Sequence, residues 1–339
     1  MPELRLGVVG CGGYMRNTLY PMARALPMRL VAACDINPQN LEKFATFFYT
    51  PRVFLDFQEM LAKEKLDAVI CAANAQTHFE VAKACLQAGV HVFVEKTPCE
   101  TAAQARELSE LSKKAGKVVA VGFNRRYATA YALAKDIIAS PSFGASMYYS
   151  KFNASVYGSN DYFVFNHIIH HIDLARFLLG EIKLESTLWK KESDASCASV
   201  ISFTSEKGVI GTIQCASMLE EAYPMERLDI AGTGGNVVVD NLKGLRWNRT
   251  APARDKDFAS PLLEGGDCLS WNPSHGYGLG NGVFSYIGME AELAAFAEAI
   301  QSGKANGCVA IGDCVGTMSF MEDVRRVAGE KLGFAVAGA

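Results

Sequence analysis

Three segments of the chain combine residue types and spacings that can do chemistry. The first is Gly10-Cys11-Gly12-Gly13-Tyr14-Met15, directly after the apolar run Leu4–Val9. A bound pyrophosphate needs a tight turn, close approach by backbone N–H groups, and a helix start whose dipole favours anions. Gly10 serves the turn and Gly12 the close approach, while Met15 stands where G-x-G-x-x-G has its third glycine. Asp35 ends the next apolar run, where a carboxylate can bond a pair of ribose hydroxyls. Neither Ile36 nor Asn37 supplies a cation for a 2′-phosphate, so the pattern predicts NAD over NADP. The competing reading is a glycine turn that binds nothing.

The second segment is His91-Val-Phe-Val-Glu95-Lys96-Thr97-Pro98. Glu95 and Lys96 fall where a strand ends, and in open α/β sheets the carboxyl ends of strands line the ligand crevice. A lysine there can hold a substrate hydroxyl, or carry a proton if burial lowers its pKa. A lysine after a strand is otherwise a solvated loop residue. The third segment is Asn166-His167-Ile-Ile-His170-His171-Ile-Asp173. On a helix, Asn166, His170 and Asp173 follow at i, i+4 and i+7 and share a face. His170 is the candidate general acid/base, oriented by a neighbour. Metal binding by His167, His170 and His171 is the rival. It is geometrically awkward, because His167 and His171 form a different row from His170; those two read as structural histidines, and no metal is expected.

These residues need elements to hold them. Up to residue 122 apolar strands alternate with amphipathic helices: Leu4–Val9, helix Tyr14–Leu26, Leu30–Cys34, helix Pro38–Phe48, Ala68–Ala73, helix Thr77–Ala88, Val90–Val94, helix Thr101–Ala115 and Val118–Gly122. Asn37 is the expected N-cap of the second helix, and Gly89 and Gly116 end later ones. The alternation predicts a parallel sheet covered on both faces. Beyond it, a helix over Ala128–Ala139, a strand over Ala145–Phe152 and a strong helix over Tyr162–Leu179 precede a series of strand-like runs. The expected fold is therefore α/β: a doubly wound Rossmann sheet followed by an α+β domain with a large, open, mostly antiparallel sheet. The expected domains are 1–123 for the dinucleotide and 124–339 for substrate and oligomerisation. Arg249–Gly282 is a long Gly/Pro/Ser/Asn-rich stretch carrying Trp271, His275 and Tyr277, and two helices close the chain. Trp271, His275, Tyr277 or Tyr286 could wall a pocket.

The chain has 339 residues, 50% of them hydrophobic and 20% charged, with a net charge of −3. That composition excludes a disordered chain and gives no electrostatic reason to bind nucleic acid or an anionic membrane. No apolar run approaches the roughly 18 residues of a membrane span, and strand-like sequence from Leu4 leaves no room for a signal peptide. The ten cysteines form no C-x-x-C pair, and many lie in strand-like runs as small hydrophobes kept reduced. The expected compartment is the cytoplasm.

In order and spacing, GVVGCGG, ACD, EKTP, GFNRRY and HHIDLARFLLG resemble the Gfo/Idh/MocA family of sugar and polyol oxidoreductases, and the resemblance covers nearly the whole chain, including the EAELAAFAEAI helix. It implies a Rossmann domain, a second domain whose open sheet often serves oligomerisation as a homodimer or homotetramer, and NAD or NADP. The family's E-K-P falls on Glu95 and Lys96 with Thr97 inserted before Pro98, and its D-x-x-x-H-x-x-D helix falls on Asn166, His170 and Asp173. Lys96 and His170 take the catalytic positions, and Asn166 replaces the usual aspartate. The family's T-P-N-x-x-H becomes Ala73-Asn74-Ala75-Gln76-Thr77-His78, which implies cofactor contacts from Ala73, Asn74, Gln76 and His78, those of Asn74 and Gln76 on the nicotinamide side. Asn124 and Arg125, in Gly122–Tyr127, are expected to reach cofactor or substrate, with Tyr286 a further substrate contact. The implied function is hydride transfer between nicotinamide and a secondary alcohol of a sugar, cyclitol or sugar derivative. Two alternatives share the fold: an NAD-retaining redox-cycle glycosidase or isomerase, and a non-enzymatic dinucleotide sensor.

Overall fold

The computed structural model describes residues 3–218, 225–249, 268–272, 287–303 and 307–336. They form two compact units: Met1–Asn124 with Met289–Ser319, and Arg125–Gly288 with Phe320–Ala339. The segment Met289–Ser319 thus groups with the first unit, although it follows the second unit's strands in sequence.

In the first unit, β1 (Leu4–Val9) leads into a wide π turn (Met15–Leu19) and a short α1 (Tyr20–Ala23). Pro21 has no N–H to continue the helical ladder and sits just after that turn. Then come β2 (Met28–Cys34), α2 (Pro38–Phe48), β3 (Arg52–Phe54), α3 (Phe57–Lys63), β4 (Ala68–Cys71), α4 (Ala75–Gln87), β5 (His91–Glu95), α5 (Ala102–Ala115) and β6 (Val119–Gly122). The order is β3-β2-β1-β4-β5-β6, all parallel. Strand order reverses between β1 and β4, so the ligand crevice of this fold class opens beyond their carboxyl ends. Local signals set the helix boundaries. Asn37 caps α2 by accepting from the N–H groups of Gln39 and Asn40. Thr101 and Gln104 close a capping box on α5, and Gly116 ends it in the left-handed region. The short pair β3–α3 was not legible in the sequence; three strand residues, two of them exposed, carry little pattern.

The second unit holds a 3₁₀ turn (Asn124–Tyr127, entering from the first unit), α6 (Thr129–Ala139), β7 (Ala145–Asn153), α7 (Asn160–Phe163), a second π turn (Val164–Ile168) and α8 (Ile169–Leu179). Strands β8 (Ile182–Ser193), β9 (Ser196–Ser205), β10 (Ile210–Ala216), β11 (Glu226–Gly232), β12 (Gly235–Asp240), β13 (Gly244–Arg249) and β14 (Cys268–Trp271) follow. Their sheet runs β14-β13-β12-β11-β7-β10-β9-β8, antiparallel except for the β7–β10 pair. One face is core, with Tyr148, Ile201, Phe203, Ile213 and Ile230 buried. The other is open: Met147 pairs with Ile210, and Leu188 with Val200. Met147, Ile210 and Leu188 are 63%, 62% and 71% exposed there. Last come α9 (Met289–Ser302), in the first unit, and α10 (Cys314–Leu332), which the unit boundary divides. All ten cysteines are free, and all but Cys268 are buried. Among the described residues no helix is long and apolar enough to cross a membrane.

Candidate active site

In the first unit the glycine turn and Asp35 are built together. Gly10 has φ +83, and a Cβ there would lie 2.2 Å from the Ala72 carbonyl oxygen beyond β4. Only glycine fits this junction of β1 and β4. Gly12 differs: a Cβ on it would meet nothing within 4 Å, and one on Gly13 would only graze Asn17 at 4.0 Å. The turn is thus crowded on the protein side and open on the other, as a phosphate cradle must be. Asp35 holds it, accepting from the Cys11 N–H at 2.7 Å and from the Asn37 N–H at 2.7 Å. A carboxylate has about four lone-pair sites, so these bonds leave capacity for ribose hydroxyls. The clamp on Cys11 was not read from the sequence. Burial first, then the Asp35 charge, pushes the Cys11 thiol far up, so it is an inert core group. Met15, expected against the cofactor, is 1% exposed and packs its side chain in the core. Only its backbone belongs to the turn.

The ends of β4 and β5 are tied by His78. It is fully buried, accepts from the Ala73 N–H at Nε2 (2.9 Å), and its Nδ1 bonds the Thr97 carbonyl at 2.8 Å. The first bond makes Nε2 the acceptor, so Nδ1 carries the proton. Burial lowers its pKa to about 4, against the Thr97 bond and with help from Lys96, keeping it neutral. His78 was expected to touch the cofactor; both its nitrogens are engaged by backbone, so it instead fixes the loop that carries Lys96. Asn74 caps α4 through the Thr77 N–H, and Gln76 donates to Glu80. Their expected nicotinamide contacts compete with these local bonds. Ala73 is exposed and Asn124 is buried.

Lys96 is half-buried at the end of β5, joined to Thr97 by a cis peptide. Beside it, Glu95 is 6% exposed and accepts from the Tyr14 hydroxyl (3.1 Å) and the Lys96 N–H (3.2 Å). Burial raises the Glu95 pKa, opposed by Lys96 and Tyr14. Gly122 is its register partner on β6, and a Cβ there would stand 3.0 Å from a Glu95 carboxylate oxygen. This glycine was legible only as part of a motif, not as room for a carboxylate.

In the second unit, the π turn and α8 carry Asn166, His167 and His170, all half-buried. Asn166 donates to the Tyr162 carbonyl. His167 stacks on Tyr157, centroids 4.0 Å apart, and His171 is fully buried 3.8 Å from Glu226. Both rings also contact Phe152, so His167 and His171 pack into one aromatic cluster. Asp173, expected to orient His170 or bond a substrate hydroxyl, is buried and clamped by Arg126 through two bonds of 2.8 and 2.6 Å. Arg126 anchors α8 to the 3₁₀ turn. Arg125, expected at the substrate, is also buried. It grips Glu226 with Nε at 3.0 Å and Nη2 at 2.6 Å, and Tyr131 donates to the same carboxylate at 2.5 Å. Burial opposes the Glu226 charge, but Arg125 and His171 outweigh it, leaving the pKa lowered. Arg325 from α10 grips Asp161 at 2.7 and 2.8 Å and covers the Phe165 ring. Nothing in the sequence near Arg125 announces Glu226, 101 residues away. Trp271 is half-buried on β14; Tyr286, His275 and Tyr277 lie outside the described residues.

A six-stranded parallel sheet with a glycine turn at its switch point and Asp35 at the end of the next strand has the form of a doubly wound Rossmann sheet. Residues 4–123 match the family model GFO_IDH_MocA, described as an oxidoreductase family with an NAD-binding Rossmann fold. The chain is 27% identical over 269 residues to a D-apiose dehydrogenase of Paraburkholderia graminis, covering 72% of each chain. It is 28% identical over 257 residues to an inositol 2-dehydrogenase of Rubrobacter xylanophilus, covering 71% of this chain and 73% of that one. A dehydrogenase structure from Chromobacterium violaceum superposes with TM-score 0.81 at 22% identity over 98% and 97% of the two chains. An Agrobacterium radiobacter oxidoreductase solved with NAD+, L-tartaric acid and magnesium gives 0.80 at 18% over 98% and 99%. Residues 4–123 are thus similar to the NAD-binding Rossmann domain of that oxidoreductase family.

Proposed function

We propose that the protein is an NAD-dependent dehydrogenase acting on a secondary alcohol of a sugar, cyclitol or sugar derivative. The observation that carries this reading is the placing of Lys96 at the end of β5, in the same sheet as a glycine cradle whose outer side is open at Gly12. The dehydrogenase relatives support the substrate class. Gly10, Gly12, Gly13 and the backbone of Tyr14 and Met15 hold the pyrophosphate, and Asp35 bonds the adenosine ribose, which selects NAD over NADP. NAD, when bound, supplies the hydride acceptor. Lys96 bonds the substrate oxygen, stabilises its developing negative charge and relays the proton. His170 takes the hydroxyl proton as general base, and Asn166 orients a neighbouring hydroxyl. Asp173 holds α8 through Arg126 and so keeps His170 in place. The exposed apolar row Met147–Ile210 and Leu188 on the open sheet supports a homodimer or homotetramer. The buried free thiols support a cytoplasmic location.

The test is Lys96→Ala, measured by NADH formation against a panel of sugars, cyclitols and sugar acids and by the NAD-induced rise in melting temperature. Loss of NADH formation with the thermal shift retained is expected. Unchanged turnover removes Lys96 from the mechanism. A thermal shift in the parent protein with no panel member oxidised points to the redox-cycle or sensor alternatives.

A further inference from the structure

Arg126 and Asp173 hold α8 after His170, and a second arginine clamp stands before it in the same unit. α7 and the π turn run directly into α8. Arg325, on α10, donates to both carboxylate oxygens of Asp161 in α7, from Nε at 2.7 Å and from Nη2 at 2.8 Å. Its Cζ lies 4.2 Å from the centroid of the Phe165 ring, which is 6% exposed. One side chain thus spans the joint, gripping α7 and covering the π turn. Asn166 is the next residue, and its Nδ2 donates to the Tyr162 carbonyl of α7 at 3.2 Å. α7 is itself anchored: Ser159 caps it through the Tyr162 N–H, and the buried Asn160 donates to the Ser193 carbonyl of β8.

We propose that Arg325 is a positioning residue for Asn166 and His170, acting through Asp161 and Phe165 to fix the π turn that sets where both side chains stand; this rests on the roles given to those two residues above. A π turn is a rare form with i→i+5 bonds, found mostly as single turns inside helices. A four-residue helix such as α7 cannot hold it by propensity, because so short a helix does not repay its own nucleation. The hold comes from side chains, and arginine suits both contacts: its fork matches a carboxylate and its flat face lies on a ring. His170 stands one helical turn beyond Asn166, so it follows any shift of the π turn. A general base must come within hydrogen-bond reach of its proton, and a misplacement of about 1 Å can cost roughly a hundredfold in rate. The two clamps differ in burial. The Asp173 side chain is 1% exposed and that of Asp161 30%. Loss of Arg325 therefore leaves a solvated carboxylate, not a stranded one, and its effect on geometry can be read in a folded protein.

Two variants grade the clamp. Arg325→Met keeps an apolar stem over Phe165 and removes the fork; Arg325→Lys keeps the charge and loses the two parallel bonds. The first measurement needs no turnover. In carbon-edited NMR spectra of the histidine-labelled, NAD-loaded protein, the His170 ring resonance is identified by its loss in His170→Gln. It should shift in Arg325→Met and shift less in Arg325→Lys, while His78 and His91 of the first unit stay unmoved. A His170 resonance unmoved in Arg325→Met overturns the proposal, whatever the enzyme's substrate. The second measurement is kcat and KM with a panel substrate, well below the melting temperature. In Arg325→Met kcat should fall by about ten- to a hundredfold, with Arg325→Lys in between and the KM for NAD unchanged. A lower melting temperature with kcat within about twofold of the parent overturns the proposal and leaves Arg325 a structural residue. If Arg325→Met does not fold, Asp161→Asn decides by the same two readings, since it removes the charge at the more exposed end of the clamp. Absence of any turnover in the parent protein would count against the dehydrogenase reading, and the NMR result would stand separately.

Discussion

Around the glycine turn of the first unit, candidate residues are held by backbone and by neutral or singly charged side chains. Asp35 takes two backbone N–H groups, His78 bonds one N–H and one carbonyl, and Gly10 and Gly122 give way to a carbonyl and a carboxylate. In the second unit the supports are buried ion pairs: Arg125 on Glu226, Arg126 on Asp173, Arg325 on Asp161. A backbone-held site loses little when one contact goes. A buried pair that loses one partner strands a charge.

The comparison breaks most visibly at Glu226. Glu226→Gln keeps the volume but leaves Arg125, Tyr131 and His171 without their shared anion. A cost of about 3–5 kcal/mol is expected from the stranded arginine. It is read as a fall in the denaturant midpoint of the second unit, with NAD binding by the first unit retained. A midpoint within experimental error of the parent would mean that the buried pair contributes nothing to stability.

Acid tests both units at once. His78 in the first and His171 in the second are buried and neutral, each with a pKa lowered from 6.5 to about 4 by burial. Above 6.5 neither form of the chain binds these protons. Between 6.5 and 4 the unfolded chain binds them and the native one does not, so stability is lost as pH falls through that window and levels off below it. Each histidine contributes on the order of 3 kcal/mol to the fall. Glu226, with its pKa lowered, adds a further loss below its ordinary value. Melting temperature against pH should therefore start to decline near 6.5, and His78→Gln should remove part of the decline. A flat profile down to pH 5 would show that both rings take up their protons in the native state.

The same contrast explains what the sequence made legible. The elements before residue 122 are local objects: apolar runs, an Asn cap, a Gly stop, a glycine turn after a strand. The main exception is β3–α3, whose three-residue strand has no pattern to find. Gly10, Asp35, Glu95 and Lys96 could be picked out because their positions are set by the strand each one follows. Arg125, Asp173 and His78 were recognisable as polar residues in motifs, but their partners decide what they do. Those partners stand 101, 47 and 19 residues away for Glu226, Arg126 and Thr97. Helical periodicity put Asp173 on the His170 face; it could not show that Arg126 would occupy it.

The finest contrast lies within the glycine turn itself. Gly10→Ala forces a Cβ to 2.2 Å from a backbone carbonyl at φ +83, where the neighbour cannot rotate away. It should cost roughly 1–3 kcal/mol of stability. Gly12→Ala meets nothing within 4 Å and sits outside the left-handed region. The protein should tolerate it with a melting temperature within a degree or so of the parent, on the order of a surface change. Yet the added methyl occupies the open side of the cradle, where the backbone must approach a pyrophosphate. Titration by fluorescence should therefore show weaker NADH binding in Gly12→Ala at unchanged stability. Gly10→Ala should lose both together. Equal NADH affinity in Gly12→Ala and the parent would mean that the dinucleotide does not approach the turn at Gly12.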